Sequence, residues 1–352
     1  MENIIPDAFL LDIIIRKDVL SMCYKQEKQK VNGEKLQAIF DEYNVPEFIV
    51  DFFGQIASRA ARINYWITIR DTLSWLMEKN YISKDKISDI TICDLNNVRS
   101  PKMILYFEYL KYDKEIALTT LQTKKNQLGS FWEYLVQEKY VEKNIIHSIK
   151  SEEFKPAKTN RRKIAKMPLH EDIVEMIEKI NRKNDEFIRI RNLIVLRVLR
   201  GTGLRESELA GLDIDNVFLD EEHPYILVIS KGTYDYTDDG KDIVYLTKDA
   251  TAAFREWFEY RSTLTYIVDE NAVFLNKNGK RLTEGNIQDI FKNYSRGKLT
   301  AHMMRHEYTT ILQRETNDAT FVQEQGRWKS QKIMTSTYDS GASRSLDKLA
   351  NM

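Results

Sequence analysis

Residues 149–168 (IKSEEFKPAKTNRRKIAKMP) are the feature that most constrains the fold, because they interrupt an otherwise helical pattern of apolar residues. They hold seven Lys or Arg against two Glu, and they contain Pro156 and Pro168. Polar, proline-containing segments of this kind connect domains more often than they fill cores. A chain of 352 residues is also longer than one ordinary core requires. The sequence therefore predicts two domains joined by an exposed basic linker.

Both sides of the linker carry helical periodicity. Residues 1–45 read as a helical extension that ends before Pro46, and residues 46–150 read as a small helical bundle. Within the bundle we expect a turn near Asn80 and the start of a helix around Pro101. One stripe within the bundle is especially regular, and it consists of Leu118, Leu121, Leu128, Trp132 and Leu135. After the linker come two helical patterns, and the second of them stops at Gly201 and Gly203. The β-branched runs 224–230 and 241–247 then predict a β-hairpin, after which helical patterns resume. The expected fold is mainly α with a small β-hairpin or sheet.

Composition excludes several classes of protein. Cys23 and Cys93 are the only cysteines, so neither a disulfide framework nor a cysteine-based zinc site is expected. No signal peptide or transmembrane span is recognisable, which favours a soluble intracellular protein without membrane contact. Fifty-three basic residues balance fifty-three acidic ones. Binding to nucleic acid must therefore be argued from local patches of charge.

The segment AHMMRHEYTTILQ, which begins at Ala301, predicts a helix with two different faces. The predicted apolar face consists of Met304, Tyr308, Ile311 and Leu312. His302, Arg305 and His306 share the opposite face because they are three and four residues apart. Taken alone, this face is more typical of a solvated helix surface than of a functional site. A metal site is disfavoured because no Cys, Asp or Glu lies at ligand spacing.

Three further segments carry possible chemistry. In LRGTGLRESELAGL, Arg205 stands where a helix is expected to begin, a place suited to binding an anion. The alternative is that Arg205 only pairs with Glu206 or Glu208. Lys231 follows a predicted strand and precedes a glycine, and Tyr338 lies ten positions after Trp328.

Together and in this order, the segments resemble the tyrosine recombinase, or phage-integrase-like, family. The resemblance rests on residues 201–212 (GTGLRESELAGL), Lys231 in a hairpin, the HMMRH pattern of 302–306, and Trp328 before Tyr338. It extends over residues 48–340. Two departures stand out. Arg327 precedes Trp328 where the family has a simple Leu-Gly-His pattern, with Trp a known alternative to the histidine, and residues 1–45 match no clear part of the family.

The resemblance implies a two-domain DNA clamp with a helical core-binding domain at 46–150. A linker at 151–168, a mixed α/β catalytic domain at 169–340 and a tail at 341–352 would follow. It implies a set of catalytic residues made of Arg205, Lys231, His302, Arg305, Trp328 and Tyr338. Glu208 and His306 would support them. Neither a metal nor any other cofactor is expected, because a protein–DNA ester stores the bond energy.

Tyr338 would attack the DNA phosphate, and Lys231 would protonate the departing 5′-hydroxyl. Arg205 and Arg305 would neutralise the phosphate oxygens, with His302 as a further donor and Trp328 supplying packing and an indole N–H. Arg161, Arg162 and Lys163 in the linker are expected to contact backbone phosphates.

The implied partner is double-stranded DNA, bound by a homo-tetramer that exchanges strands through a Holliday junction. A mobile element, a bacterial nucleoid-associated location and an accessory or directionality factor fit this reading. The tail 341–352 could dock on a neighbouring protomer. Three alternatives stay open at this point: a type IB topoisomerase, a catalytically idle DNA-binding accessory protein, and a helical adaptor between proteins.

Overall fold

A computed structural model describes residues 23–149, 167–230 and 240–328, and the chain divides into two compact units between residues 159 and 160. In its described part, the first unit consists of α-helices joined by short turns. Their bounds are α1 Tyr24–Tyr43, α2 Glu47–Gly54, α3 Arg59–Glu78, α4 Ile92–Asn97, α5 Ser100–Glu108 and α6 Leu118–Gln137. A 3₁₀ turn at Ile87–Asp89 precedes α4, and a π-helical turn at Tyr109–Asp113 follows α5.

Aromatic side chains fill the core of the first unit. Trp66 and Trp132 are each 1% exposed, and the ring of Phe52 lies 5.2 Å from that of Phe131. Contacts of this kind add to the free energy gained by burying large apolar surfaces. The predicted stripe on α6 is confirmed. Leu121, Leu128, Trp132 and Leu135 are buried in this core, and Leu118 packs against it.

Helix α1 packs against the same core. Its Leu36 is 5% exposed, and the ring of Phe40 stacks on that of Phe53 at 5.8 Å. The described part of the N-terminal segment is therefore continuous with the bundle that follows it.

Local signals account for the helix ends in the first unit. The Ser58 hydroxyl accepts a hydrogen bond from the Ala61 N–H at the start of α3. After α3 the chain turns at Asn80, which has a φ of 57°, and Pro101 stands in the first turn of α5. The predicted turn near Asn80 and the predicted helix start around Pro101 are confirmed.

The second unit combines helices with a small sheet. The helices in its described part are α7 His170–Asn181, α8 Glu186–Thr202, α9 Glu206–Ala210, α10 Lys248–Ser262, α11 Glu284–Ser295, α12 Ala301–Thr316 and α13 Ala319–Gly326. A 3₁₀ turn at Ile214–Asn216 leads into the sheet. Helix α8 is the centre of this unit and packs against both α10 and α12. Ile194, Val195 and Val198 are fully buried on it.

The sheet has three antiparallel strands in the order β1–β2–β3. They are β1 Val217–Phe218, β2 Tyr225–Val228 and β3 Asp242–Tyr245. Pairing of Tyr225 with Tyr245 and of Ile226 with Val244 confirms the predicted hairpin. Strand β1 was not predicted, because two residues are too few to show an alternating pattern.

The fold class, mainly α with a small sheet, is confirmed. In the three described ranges, every helix is too short or too polar to cross a lipid bilayer.

Candidate active site

Arg205 occupies the predicted place at the start of a helix. It is the N-cap residue of α9, with an extended backbone at φ −75° and ψ 154°. Its backbone N–H donates to Oε2 of Glu208 at 2.9 Å, and its Nη1 donates to Oε1 of the same carboxylate at 2.6 Å. The side chain is 26% exposed. Arg205 therefore combines a fixed position with access to solvent.

Glu208 is buried completely, with 0% of its side chain exposed. Burial by itself would raise the pKa of this carboxyl. The positive charges of Arg327, Arg305 and Arg205 reverse that effect, together with the Arg205 N–H, and lower the pKa to about 2. Glu208 is therefore ionised at neutral pH and holds the arginine groups around it. The ion pair with Arg205 was foreseen only as a surface contact.

Arg305 is the main correction to the predicted site. It was expected on an open polar face of α12, but it is 1% exposed. Its Nη1 donates to the carbonyl oxygen of Gly203 at 2.5 Å, and its Nη2 donates to that of Gly326. The guanidinium also lies over the ring of Trp328, 5.0 Å from its centroid. Arg305 thus links the turn before α9 to the end of α13.

The opposite face of α12 is only partly as predicted. Met304 and Tyr308 are buried at 0% and 6% exposure, and the ring of Tyr308 packs on Gly203. Leu312 packs against Val322 of α13. Ile311, however, is 46% exposed. The buried face of α12 therefore includes Arg305 and leaves out Ile311, whereas the pattern of apolar residues predicted the reverse.

An ion pair fixes α12 against α8. Nε and Nη2 of Arg200 donate to the two carboxylate oxygens of Glu307 at 2.9 and 2.8 Å. This two-point geometry sets the rotation of α12 as well as its distance from α8. It therefore helps to hold Arg305 and the two histidines of α12 in place.

His302 and His306 lie side by side, with ring centroids 4.3 Å apart. Burial lowers the pKa of His302, and the charges of Arg305 and Arg205 lower it further. Burial, His302 and Arg305 lower the pKa of His306 to about 4. Both imidazoles are therefore neutral at pH 7. A neutral imidazole can accept a proton as well as donate one.

Arg327 was not predicted as a site residue. It follows α13 in the left-handed backbone region, at φ 50° and ψ 49°. Its side chain is 2% exposed, and its Nη2 donates to Oε2 of Glu208 at 2.7 Å. The one signal in the sequence was the unusual arginine before Trp328. That position alone did not reveal a partner more than a hundred residues away.

The structure thus brings together Arg205, Glu208, His302, Arg305, His306 and Trp328. The predicted residues Lys231 and Tyr338 lie outside the described residues, and so do Arg161, Arg162 and Lys163 of the linker. The tail at 341–352 also lies outside them. Within the described ranges, no group of three His, Cys, Asp or Glu side chains is placed to hold a metal ion.

The relatives in sequence include two proteins named tyrosine recombinase XerC. Tyrosine recombinase XerC of Alcanivorax borkumensis is 29% identical over 210 residues, which cover 58% of this chain and 64% of that protein. XerC of Pediococcus pentosaceus is 29% identical over 230 residues, which cover 62% of this chain and 70% of that protein. The chain thus spans slightly less than two thirds of the Alcanivorax relative.

Solved structures show the same fold. XerH site-specific recombinase, bound to a palindromic difH substrate in a post-cleavage complex, aligns with a TM-score of 0.60 at 22% identity. That alignment covers 84% of this chain and 80% of the XerH chain. The Tn1549 transposon integrase, in complex with a circular intermediate DNA, aligns with a TM-score of 0.61 at 16% identity, over 86% of this chain and 98% of that one.

A sequence model of the phage integrase family matches residues 157–343, which is more than half of the chain. The arginine pocket between α9, α12 and α13 lies inside this match. The chain therefore belongs to the phage integrase family, the tyrosine recombinases.

Proposed function

We propose that this protein is a site-specific DNA recombinase that cuts and rejoins DNA through a 3′-phosphotyrosine intermediate. The observation that carries the proposal is the pocket in which Arg205 and Arg305 surround Glu208 beside two neutral histidines. Such a concentration of fixed positive charge suits a phosphodiester, which gains a second negative charge in its transition state. Double-stranded DNA is the proposed partner, which is supported by the solved recombinases of this fold in complex with DNA.

Arg205 is the residue placed to meet the phosphate first. Within the described residues its N–H groups donate only to Glu208, and part of its side chain faces solvent. Arg305 instead donates to the carbonyls of Gly203 and Gly326. It must exchange one of these partners for a phosphate oxygen when DNA binds. Trp328, which lies against Arg305, closes the pocket on that side.

Tyr338 is the proposed nucleophile. Its phenolic oxygen attacks phosphorus while the bond to the 5′-oxygen breaks, and the chain becomes joined to the 3′ end. The phenol must lose a proton, and His302 can accept it because its lowered pKa keeps it neutral. Lys231 gives a proton to the departing 5′-hydroxyl. The reverse steps, with a new 5′-hydroxyl as the attacking group, restore the DNA and release Tyr338.

The organisation around this chemistry follows the family resemblance. Residues 46–150 are proposed to bind DNA as a core-binding domain and residues 169–340 to act as the catalytic domain of a clamp. Arg161, Arg162 and Lys163 of the linker would lie on phosphates. Four protomers would exchange strands in pairs through a Holliday junction, with the tail at 341–352 docked on a neighbour. An accessory or directionality factor would set the direction of the reaction.

The element that this enzyme serves is proposed to be mobile DNA. The fold shared with the Tn1549 transposon integrase fits that use. The sequence relatives named tyrosine recombinase XerC do not point to a mobile element, so the identity of the DNA site is the observation that tests this part of the proposal.

Covalent capture tests the function. A random duplex library, incubated with the protein and recovered through the protein–DNA link under denaturing conditions, would identify the site. A substrate with a nick next to that site then traps the link, because the cleaved fragment diffuses away. Wild type is expected to give a slow-migrating species on a denaturing gel, and Tyr338→Phe is expected to give none.

Two outcomes would contradict the proposal. Equal capture by Tyr338→Phe would mean that another group is the nucleophile. Relaxation of supercoiled plasmids that lack the selected site, without strand exchange between sites, would identify a topoisomerase instead.

A further inference from the structure

Arg327 is a buried cation that the resemblance to the family does not account for. It adopts a left-handed backbone at φ 50°, which costs most side chains some free energy and costs glycine little. Its side chain is nevertheless buried, and its Nη1 donates to the Gln325 carbonyl at 2.6 Å. The contacts of the Arg327 side chain therefore indicate a role for it in the pocket.

The ion pair with Glu208 is its strongest contact. The Glu208 carboxylate is divided between two guanidinium groups, because Oε1 accepts from that of Arg205 at 2.6 Å and Oε2 accepts from that of Arg327 at 2.7 Å. Oε2 also accepts from the Arg205 backbone N–H at 2.9 Å. The two distances to the guanidinium groups are those of charge-assisted hydrogen bonds. A carboxylate can also bind a single guanidinium with both oxygens. Arg327, together with the Arg205 backbone N–H, occupies Oε2, so the Arg205 guanidinium contacts Glu208 through Oε1 alone.

The net charge of the pocket also supports a role for Arg327. Arg205, Arg305 and Arg327 are three cations around the single carboxylate of Glu208, which leaves a net charge of +2. A phosphodiester carries one negative charge, and its pentacoordinate transition state carries two. A pocket without the third arginine would match the ground state better than the transition state.

We propose that Arg327 is a positioning residue of the recombination site: by holding one oxygen of Glu208, it leaves N–H groups of Arg205 available to the DNA phosphate. This inference rests on the proposed function. It adds a residue that acts through Glu208 and Arg205 and does not touch the DNA. Its loss should slow the cleavage step more than it weakens the binding of DNA.

The test compares Arg327→Gln, Arg327→Lys and the double variant Arg327→Gln with Glu208→Gln. Single-turnover formation of the covalent complex is measured on the nicked substrate, at saturating DNA and across a DNA titration. The titration separates the cleavage rate from the dissociation constant. Arg182→Gln is the matched control, because Arg182 forms an exposed ion pair with Glu178 on α7.

Arg327→Gln is expected to cleave roughly tenfold to a hundredfold more slowly at saturating DNA, because Glu208 then competes with the phosphate for Arg205. Its dissociation constant should stay within about threefold of wild type. The double variant should recover much of the lost rate, because the neutral amide that replaces the Glu208 carboxylate no longer draws Arg205 away. Arg327→Lys keeps the charge and should stay close to wild type. Arg182→Gln should match wild type.

Several results would overturn the inference. They are an unchanged rate in Arg327→Gln, losses that simply add in the double variant, and an Arg327→Lys variant as slow as Arg327→Gln. If Arg327→Gln does not unfold cooperatively, the Lys variant and the double variant decide. If wild type itself forms no covalent complex, the proposed function fails and this inference fails with it. A wild type that reacts, beside an Arg327→Gln variant that reacts equally fast, removes only the inference.

Discussion

The two units of this protein differ in the kinds of side chain that they bury. Within the described residues, the polar or charged side chains buried in the first unit are Thr68, Thr72 and Lys125. The second unit buries Arg191, Asn192, Glu208, Arg305 and Gln325 among others. Aromatic rings dominate the first core, whereas ion pairs and carbonyl contacts run through the second.

The interior of the first unit serves stability, whereas the interior of the second unit also holds the candidate active site. An apolar core gains free energy from every buried ring. A buried ion pair gains little over an apolar replacement, and it becomes costly when one partner is lost. The second unit nevertheless buries Glu208 among its arginines, which the proposed binding of a DNA phosphate would explain. The comparison predicts that the two units respond differently to substitution, acid and activity assays.

The largest expected effect is that of Glu208→Ala. Three buried or half-buried guanidinium groups would then lack their common carboxylate. We expect the second unit to lose about 3–5 kcal/mol of unfolding free energy, and covalent capture of DNA to be lost. Hydrogen exchange followed by mass spectrometry resolves the two units. Faster exchange throughout the first unit as well would contradict the expectation that the loss is confined to the second unit.

A substitution in the aromatic core gives the matching test of the first unit. Trp132→Ala removes a ring that is 1% exposed and should cost about 3–5 kcal/mol, all of it in the first unit. The chemical pocket lies in the second unit and should keep its exchange protection. Equal loss of protection around α9 and α12 would show that the units do not unfold separately.

Acid should affect the second unit more strongly. The ordinary pKa of a glutamate is 4.5, and that of Glu208 is lowered to about 2 in the folded protein. A lowered pKa stabilises the folded state fully above pH 4.5, and this stability disappears as the pH falls towards 2. The loss is about 3 kcal/mol for Glu208. Lys179 and Lys298 lower the pKa of the more exposed Glu175 to about 2 as well, which adds to the same trend.

Denaturant titrations from pH 7 to pH 2 would measure this effect for each unit. Glu208→Gln should be less stable at neutral pH, and its stability should fall less between pH 4.5 and 2. His306, with a pKa lowered to about 4, adds a loss of stability in the higher window from pH 6.5 to 4. A Glu208→Gln variant with the same acid dependence as wild type would contradict the assignment of that charge.

The smallest expected effect is that of Glu307→Gln. Its partner Arg200 is 35% exposed, so the pair is only partly shielded from water. We expect a cost of about 1 kcal/mol or less in unfolding free energy. Because the pair sets the orientation of α12, the cleavage rate should fall more than this stability change alone would cause. A rate equal to that of wild type would show that other contacts fix α12.

Local patterns were sufficient to predict much of the fold. The α6 stripe, the break at Asn80 and the hairpin between β2 and β3 depend on neighbouring residues in the sequence, and all were predicted. Local patterns also placed Arg205 at the start of a helix and His302 and Arg305 on one helix face, whereas the catalytic roles of these residues came from the resemblance to a family. The structure brings these three into one pocket.

The burial of the site could not be predicted in this way. Whether Arg305 faces solvent depends on the carbonyls of Gly203 and Gly326, which other elements bring to it. The helical pattern of α12 contains no information about them, and for the same reason it misplaced Ile311. Arg327 was missed because its partner Glu208 lies in a distant part of the chain.

The proposed function requires that DNA becomes covalently joined to Tyr338. Trypsin digestion of the trapped complex should release residues 333–344, in which Tyr338 is the only tyrosine, still attached to a nucleotide after nuclease treatment. Fragmentation mass spectrometry of this peptide is expected to show the added mass on Tyr338. An added mass on a serine or threonine of that peptide, or on any other peptide, would contradict the proposed function.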